Sequence, residues 1–312
     1  MDFWAHDKIS WNNVRFERIG AWEEYKKIRK RIESERIHLQ TGWLIIDIPK
    51  EIKNVDKVKE YSLNLIDKLH LLISFAHGHD VPIHELLIYE VSDGRETLKA
   101  HEISSIWTGK PGASSLNVYP HGLDRFLNSA MPLISNEDFV SKTNVTLAIL
   151  YYNLAVSVSL LEIKFTTLWL GLEAMANAFY ESNPKDLILT RDEWNDLKTQ
   201  CRDYLTRIGK RDVYSKLLQN LQFLRSGTIK ERIRYMLKDA KYQMQQYFPE
   251  VEIMYDNVRV PLFHGRRVDW TANFDKVYKL KRLMEKIIFK TLDFYDNDMI
   301  YYAIKEDDLS KR

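Results

Sequence analysis

The chain of 312 residues carries 46 Lys and Arg against 44 Asp and Glu, a formal net charge of +2. Single hydrophobic cores stop growing at roughly 250–300 residues, so this length predicts two domains. Apolar residues at 45% and charged residues at 29% are those of a globular protein, and 11 Gly and 8 Pro exclude collagen-like and Pro/Gly-rich disordered chains. The single cysteine, Cys201, cannot close an internal disulfide, which fits a reducing cytoplasm. Taken as one number, the charge argues against nucleic acid as a partner.

The opening Met1-Asp2-Phe3-Trp4 has no basic stretch followed by an apolar run, so no secretory signal is expected. Thr143 to Leu161 is uncharged for 19 residues, long enough to span a bilayer. Asn144, Tyr151, Tyr152, Asn153, Ser157 and Ser159 dilute it, and a helix buried at the centre of a helical domain is the preferred reading.

In chain order, residues 36–48 alternate and then turn apolar, which predicts a strand or hairpin. Apolar positions at helical spacing (Val55, Val58, Tyr61, Leu65, Leu69, Leu72) predict an amphipathic helix over 54–76, stopped by Gly78. Residues 83–91 and 95–108 read as strands joined by a turn at Asp93-Gly94. Lys110-Pro111-Gly112 is a loop, and 121–133 a short helix ending near Pro132. From about residue 138 helical periodicity takes over. Helices are expected at 141–158, 160–182, 191–207, 213–225, 229–247, 250–260 and 272–296, with Thr228 and Glu231 forming a capping box. The predicted class is an α+β domain over 1–137 followed by an all-α helical bundle over 138–312, mainly α overall, with a frayed acidic tail.

Charge is uneven along this map. Residues 1–140 hold 18 basic and 21 acidic side chains, whereas 201–290 hold 20 basic against 10 acidic. A basic helical block is masked by acidic flanks, and such a block is either a solvated face or a footprint for phosphates.

Within it, Arg259-Val260-Pro261-Leu262-Phe263-His264 places an Arg and a His five positions apart near a helix end. Pro261 disfavours continuing the helix, and Gly265 is free to turn. Imidazole exchanges protons near neutral pH, and guanidinium holds phosphate with two donors. The pair suits phosphodiester cleavage by a neighbouring ribose hydroxyl without a metal, His264 moving the proton and Arg259 stabilising the developing charge. Upstream, Glu173 sits among Phe165, Leu168, Trp169, Leu172 and Met175, where a carboxylate needs a partner. Trp169, Glu173 and Asn177 share a helix face, and a salt bridge from Glu173 to the basic block, Arg259 included, is expected.

The stretch Glu162 to Ala176, the run Thr228-Ile229-Lys230-Glu231-Arg232-Ile233-Arg234, the Arg259–His264 pair and Asp269-Trp270 before a long last helix together resemble the HEPN superfamily, in its Apea-like subgroup, over roughly residues 141–296. Leu71 to Gly78 looks similar to the domain that accompanies such modules. The resemblance maps the family's Arg-to-His signature onto Arg259 and His264. It implies a metal-independent endoribonuclease that dimerises through its helical domain, in antiphage or toxin–antitoxin systems, with RNA (tRNA or mRNA) as substrate and an antitoxin or sensor as partner. It implies no cofactor and no metal. The family often has Asn, Asp or His directly after the Arg; here that position is Val260. Asn257 and Asp256, one turn earlier, are candidate replacements. The assigned roles are therefore catalytic for Arg259 and His264, supporting for Asn257 and Glu173, and RNA-binding for Arg266, Arg267, Arg232 and Arg234. The alternative is a non-catalytic HEPN module that binds a nucleotide or a partner protein.

Other candidates are weaker. His77, His79, Asp80 and His84 cluster, but around Pro82 their spacing is irregular for a metal. Cys201 reads as a structural thiol. Tyr235, Tyr242, Tyr247, Phe248 and Tyr255 accompany the basic block and are either packed or base-stacking rings.

Overall fold

A computed structural model describes residues 9–11, 14–18, 27, 42–49, 51–78, 81, 83–92, 95–106, 117–118, 122–185, 188–221 and 223–295. Mainly helical, the chain divides into two compact units. Residues 137–291 form the second, and the described residues 292–295 belong with 1–136, not with the helical block to which the sequence reading assigned them.

The first unit holds two antiparallel sheets. β1 (Ile9–Trp11), β2 (Val14–Arg18) and β3 (Gly42–Ile46) are ordered β1-β2-β3, with Val14 opposite Ile46 and Phe16 opposite Leu44. β1 and β2 were not expected, while 36–41 of the predicted strand lie outside the described residues. β4 (Ile83–Ser92) and β5 (Arg95–Ile106) form the predicted ribbon, Ser92 opposite Arg95. Its turn, Asp93-Gly94, and the loop at 110–112 lie outside the described residues. Helix α1 (Val55–His77) starts where the Asn54 side chain accepts from Asp56 N at 2.8 Å and Lys57 N at 3.2 Å. It stops at Gly78, whose φ of +65° is the left-handed cap that glycine takes without strain. Its buried face packs on α2 (Leu123–Ile134), with Phe75 and Phe126 ring centroids 6.0 Å apart. Phe294 meets Phe126 edge-on at 5.3 Å, and Ser129 Oγ donates to the Leu292 carbonyl at 2.8 Å.

The second unit is a helical bundle of α3 (Glu137–Thr143), α4 (Val145–Ser157), α5 (Leu161–Ser182), α6 (Arg191–Arg207), α7 (Tyr214–Leu221), α8 (Phe223–Ser226) and α9 (Ile229–Lys238), completed by α10 (Phe248–Met254), a π-helical turn (Tyr255–Arg259), α11 (Val260–Phe263) and α12 (Trp270–Thr291). The uncharged run 143–161 is broken at 158–160 into α4 and α5. Among the described residues no helix is long and apolar enough to cross a membrane. α5 lies at the centre, packed against α4, α9 and α12. Gly171 permits the approach: a Cβ there would lie 2.9 Å from Met284 Cε.

Capping boxes start α6 (Thr190 with Glu193) and α9 (Thr228 with Glu231). The Thr190 backbone and hydroxyl hold the Glu193 carboxyl below its ordinary value of 4.5. The expected helix 229–247 ends at Lys238. There Met244 N returns to the Leu237 carbonyl at 2.8 Å, Gln243 takes a φ of +48°, and Tyr242 buries itself.

Candidate functional site

The site grows from one face of α5. Trp169, fully buried, stacks on Phe165 at 5.7 Å, and Phe165 faces Trp270 at 6.2 Å. One turn on, Glu173 Oε1 accepts from Trp169 Nε1 at 2.7 Å, from Arg259 Nε at 3.2 Å and from Arg259 Nη2 at 3.1 Å. Only 20% of the Arg259 side chain and 17% of that of Glu173 reach solvent. Three N–H donors on one oxygen offset the cost of burying the carboxylate. The Arg259 guanidinium also lies over the rings of Phe263 at 4.5 Å and Tyr255 at 5.4 Å. The bridge anticipated between Glu173 and the basic block thus has Arg259 as its partner.

Arg259 is delivered by a π turn. Val260 N bonds the Tyr255 carbonyl, five residues back rather than four. Pro261 lacks an N–H, and its ring collides with the carbonyl four residues earlier in a regular helix. The widened turn relieves that collision, so helical structure continues past 260, the expected end, to Phe263. It then stops at His264, whose N–H reaches Val260 O at 3.2 Å, and at Gly265, whose φ is +68°.

His264 is exposed, as are Asn257, Arg266 and Arg267. Among the described residues, none of these four side chains is tied into an ion pair. Arg259 and His264 are five residues apart, roughly 140° around a regular helix. The structure therefore brings Arg259 to Glu173 and leaves His264 on an exposed helix end. Arg232 is committed within the bundle: Nη1 donates to Asn177 Oδ1 at 2.9 Å, Nε to the Ser226 carbonyl at 3.2 Å, and its guanidinium covers Tyr180. Arg234 pairs with Glu252 at 3.5 Å over the Phe248 ring.

The rings considered for base stacking are packing groups instead. Tyr242 and Phe248 are buried, Tyr235 packs on Phe179 at 5.3 Å, Tyr255 on Trp169 at 6.0 Å, and Tyr247 receives a hydrogen bond from Lys286. Two neighbouring rings on α12, Phe274 and Tyr278, are exposed with centroids 4.9 Å apart; Phe263, Tyr204, Tyr89 and Tyr295 are exposed elsewhere. Sequence reading passed over the α12 pair, although Trp270, Phe274 and Tyr278 repeat every four residues.

A second charged cluster was also missed. Glu285, buried on α12, accepts from Tyr152 Oη at 2.6 Å, from Arg282 Nη1 at 3.0 Å and from Lys281. Lys281 repels Lys164 of α5, whose ammonium is lowered from its ordinary range first by burial and then by that repulsion. Nearby, Lys279 is raised by its hydrogen bond to Glu250.

Cys201 is half-buried on α6. Among the described residues no three His, Cys, Asp or Glu side chains are grouped to hold a metal; His79 and Asp80 of the sequence cluster lie outside them. Comparison with family models, curated proteins and solved structures gives no match, so what the chain does has to be argued from this chemistry.

Proposed function

We propose that the helical unit is a HEPN-type endoribonuclease that cleaves RNA without a metal, the ribose 2′-hydroxyl attacking the adjacent phosphodiester. The observation that carries this reading is the Arg259 guanidinium, clamped by Glu173 at one end of a helical turn whose other end is an exposed imidazole, His264. Glu173 takes Nε and Nη2 and leaves Nη1 to meet a phosphate oxygen. His264, open to solvent, can accept the 2′-hydroxyl proton or protonate the leaving oxygen. Exposed Arg266 and Arg267 follow directly and suit the RNA backbone. Asn257 supplies an exposed polar group two residues before Arg259. The wider proposal is a cytoplasmic protein of antiphage defence or a toxin system. It works as a homodimer through the helical unit, which joins an α+β sensor unit and answers to an antitoxin or sensor partner.

The test is incubation of the purified protein with tRNA, mRNA and rRNA in EDTA. Cleavage that leaves 2′,3′-cyclic phosphate ends and is lost in His264→Ala supports the reading. Wild type and His264→Ala equally inert on all three would sink it.

A second reading, a non-catalytic module that binds a nucleotide or a partner protein, is favoured by two observations. Glu173 neutralises Arg259, and Val260 stands where a polar side chain would assist. On that reading Arg259→Ala weakens nucleotide binding and there is no cleavage to lose.

A further inference from the structure

The outer face of α12 is not explained by folding. Its inner face is filled by Val277, Leu280, Leu283 and Met284, all buried. On the outside, Phe274 and Tyr278 are each 49% exposed, one turn apart, tilted 55° to each other. They continue the line of Trp270 at intervals of four residues, and one further turn brings Arg282, its side chain 33% exposed, onto the same side, with the more deeply covered Lys281 (14%) beside it. We infer that this face binds single-stranded nucleic acid, with Phe274 and Tyr278 stacking on bases and the cations at its far end meeting phosphate; the inference rests on the RNA reading above and extends it to how substrate is held.

Charge favours that occupant. Glu285 is shared by Lys281 and Arg282, and Lys164 adds a third cation, so three positive charges face one carboxylate. Lys164 makes no ion pair among the described residues. Burial and Lys281 both oppose its charge, and an anion seated beside it relieves the repulsion. Asp275, on the flank, is taken by Lys279 at 3.5 Å, which also holds Glu250 at 2.9 Å. A second copy of the chain on this face would set like charges against each other. A duplex hides its bases from side-chain rings, whereas a single strand presents them for stacking, with backbone phosphates left for the cations.

The experiment uses the full chain carrying His264→Ala, so that RNA is not consumed, and a fluorescein-labelled 12-nucleotide oligouridylate read by anisotropy. Adding Phe274→Ala and Tyr278→Ala together should weaken binding by at least about tenfold, while a 12-base-pair RNA duplex shows no such loss. Phe274→Trp should retain binding, and Lys164→Met should weaken it and flatten its salt dependence. Because both rings are exposed, an unchanged thermal midpoint confirms that the double variant is folded. If the parent binds the oligomer and the double variant binds it equally well, the inference is overturned and the ribonuclease reading stands. If the double variant instead converts a dimer to a monomer in sedimentation at unchanged RNA affinity, the face is a protein interface and the inference is again overturned. If the parent binds no oligomer and the wild type cleaves no RNA, both readings fall together.

Discussion

Glu173 and Arg259, 86 residues apart in sequence, meet through two N–H donors on a single carboxylate oxygen that Trp169 also occupies. Removing either partner leaves the other charge half-buried, Glu173 with the Trp169 N–H and Arg259 with the Phe263 and Tyr255 rings as partial compensation. Glu173→Ala and Arg259→Ala should each cost roughly 1–3 kcal/mol, less than a fully buried pair because both side chains retain some exposure. The double variant should cost less than the sum of the singles. Urea midpoints at constant slope measure this cycle, and strict additivity would show that the two side chains are not coupled.

The α6 capping box makes a pH prediction. Glu193 has a depressed folded value, held down by the Thr190 backbone N–H and hydroxyl. Its contribution is therefore complete above the ordinary 4.5 and is lost as pH falls through the lower folded value. Thr190→Ala should lower stability at pH 7 and remove the hydroxyl's share of the acid dependence, while the backbone N–H keeps the larger share. Urea midpoints at pH 7, 4 and 3 check it; a Thr190→Ala curve parallel to wild type would contradict the linkage.

Gly171 separates close approach from simple propensity. The nearest atom to an added Cβ is the end of the flexible Met284 side chain, at 2.9 Å. Gly171→Ala should stay within about 1 kcal/mol of wild type, since helix propensity gains what a small shift of Met284 loses. Gly171→Leu should cost about 1–3 kcal/mol by overpacking against α4 and α12. Thermal midpoints of the two variants, compared side by side, decide it.

Phe294 is nearly fully buried against Phe126, although it lies only 18 positions from the last residue. Phe294→Ala should destabilise the first unit by about 3 kcal/mol. Hydrogen exchange should report faster exchange across α1 and α2, with the amides of α5 and α12 little changed.

What the sequence made legible was local. The box at Thr228 and Glu231, the stop at Gly78 and the span of α6 depend on residues within a turn of each other. So did the need of Glu173 for a partner, because its neighbours on the helix are apolar. The end of α9 was illegible: no glycine or proline lies in the ten residues after Lys238, and the break comes from Tyr242 burying itself and Met244 pairing back to Leu237. β2 was legible and passed over, since Val14 and Phe16 alternate with Arg15 and Glu17. Phe274 and Tyr278 look like core by spacing alone; which side of α12 is covered is decided by α5 and α4. The π turn could not be foreseen, because Pro261 announces an end to the helix and a widened turn absorbs it.

The return of Leu292 and Phe294 to α2 has a consequence for biosynthesis. A chain leaving the ribosome exposes every residue of the helical unit before Phe294 emerges. The helical unit can close on itself while the first is still missing Phe294 against Phe126. The first unit therefore cannot complete its packing until every residue of the helical unit has been made, although most of its own sequence is made earlier.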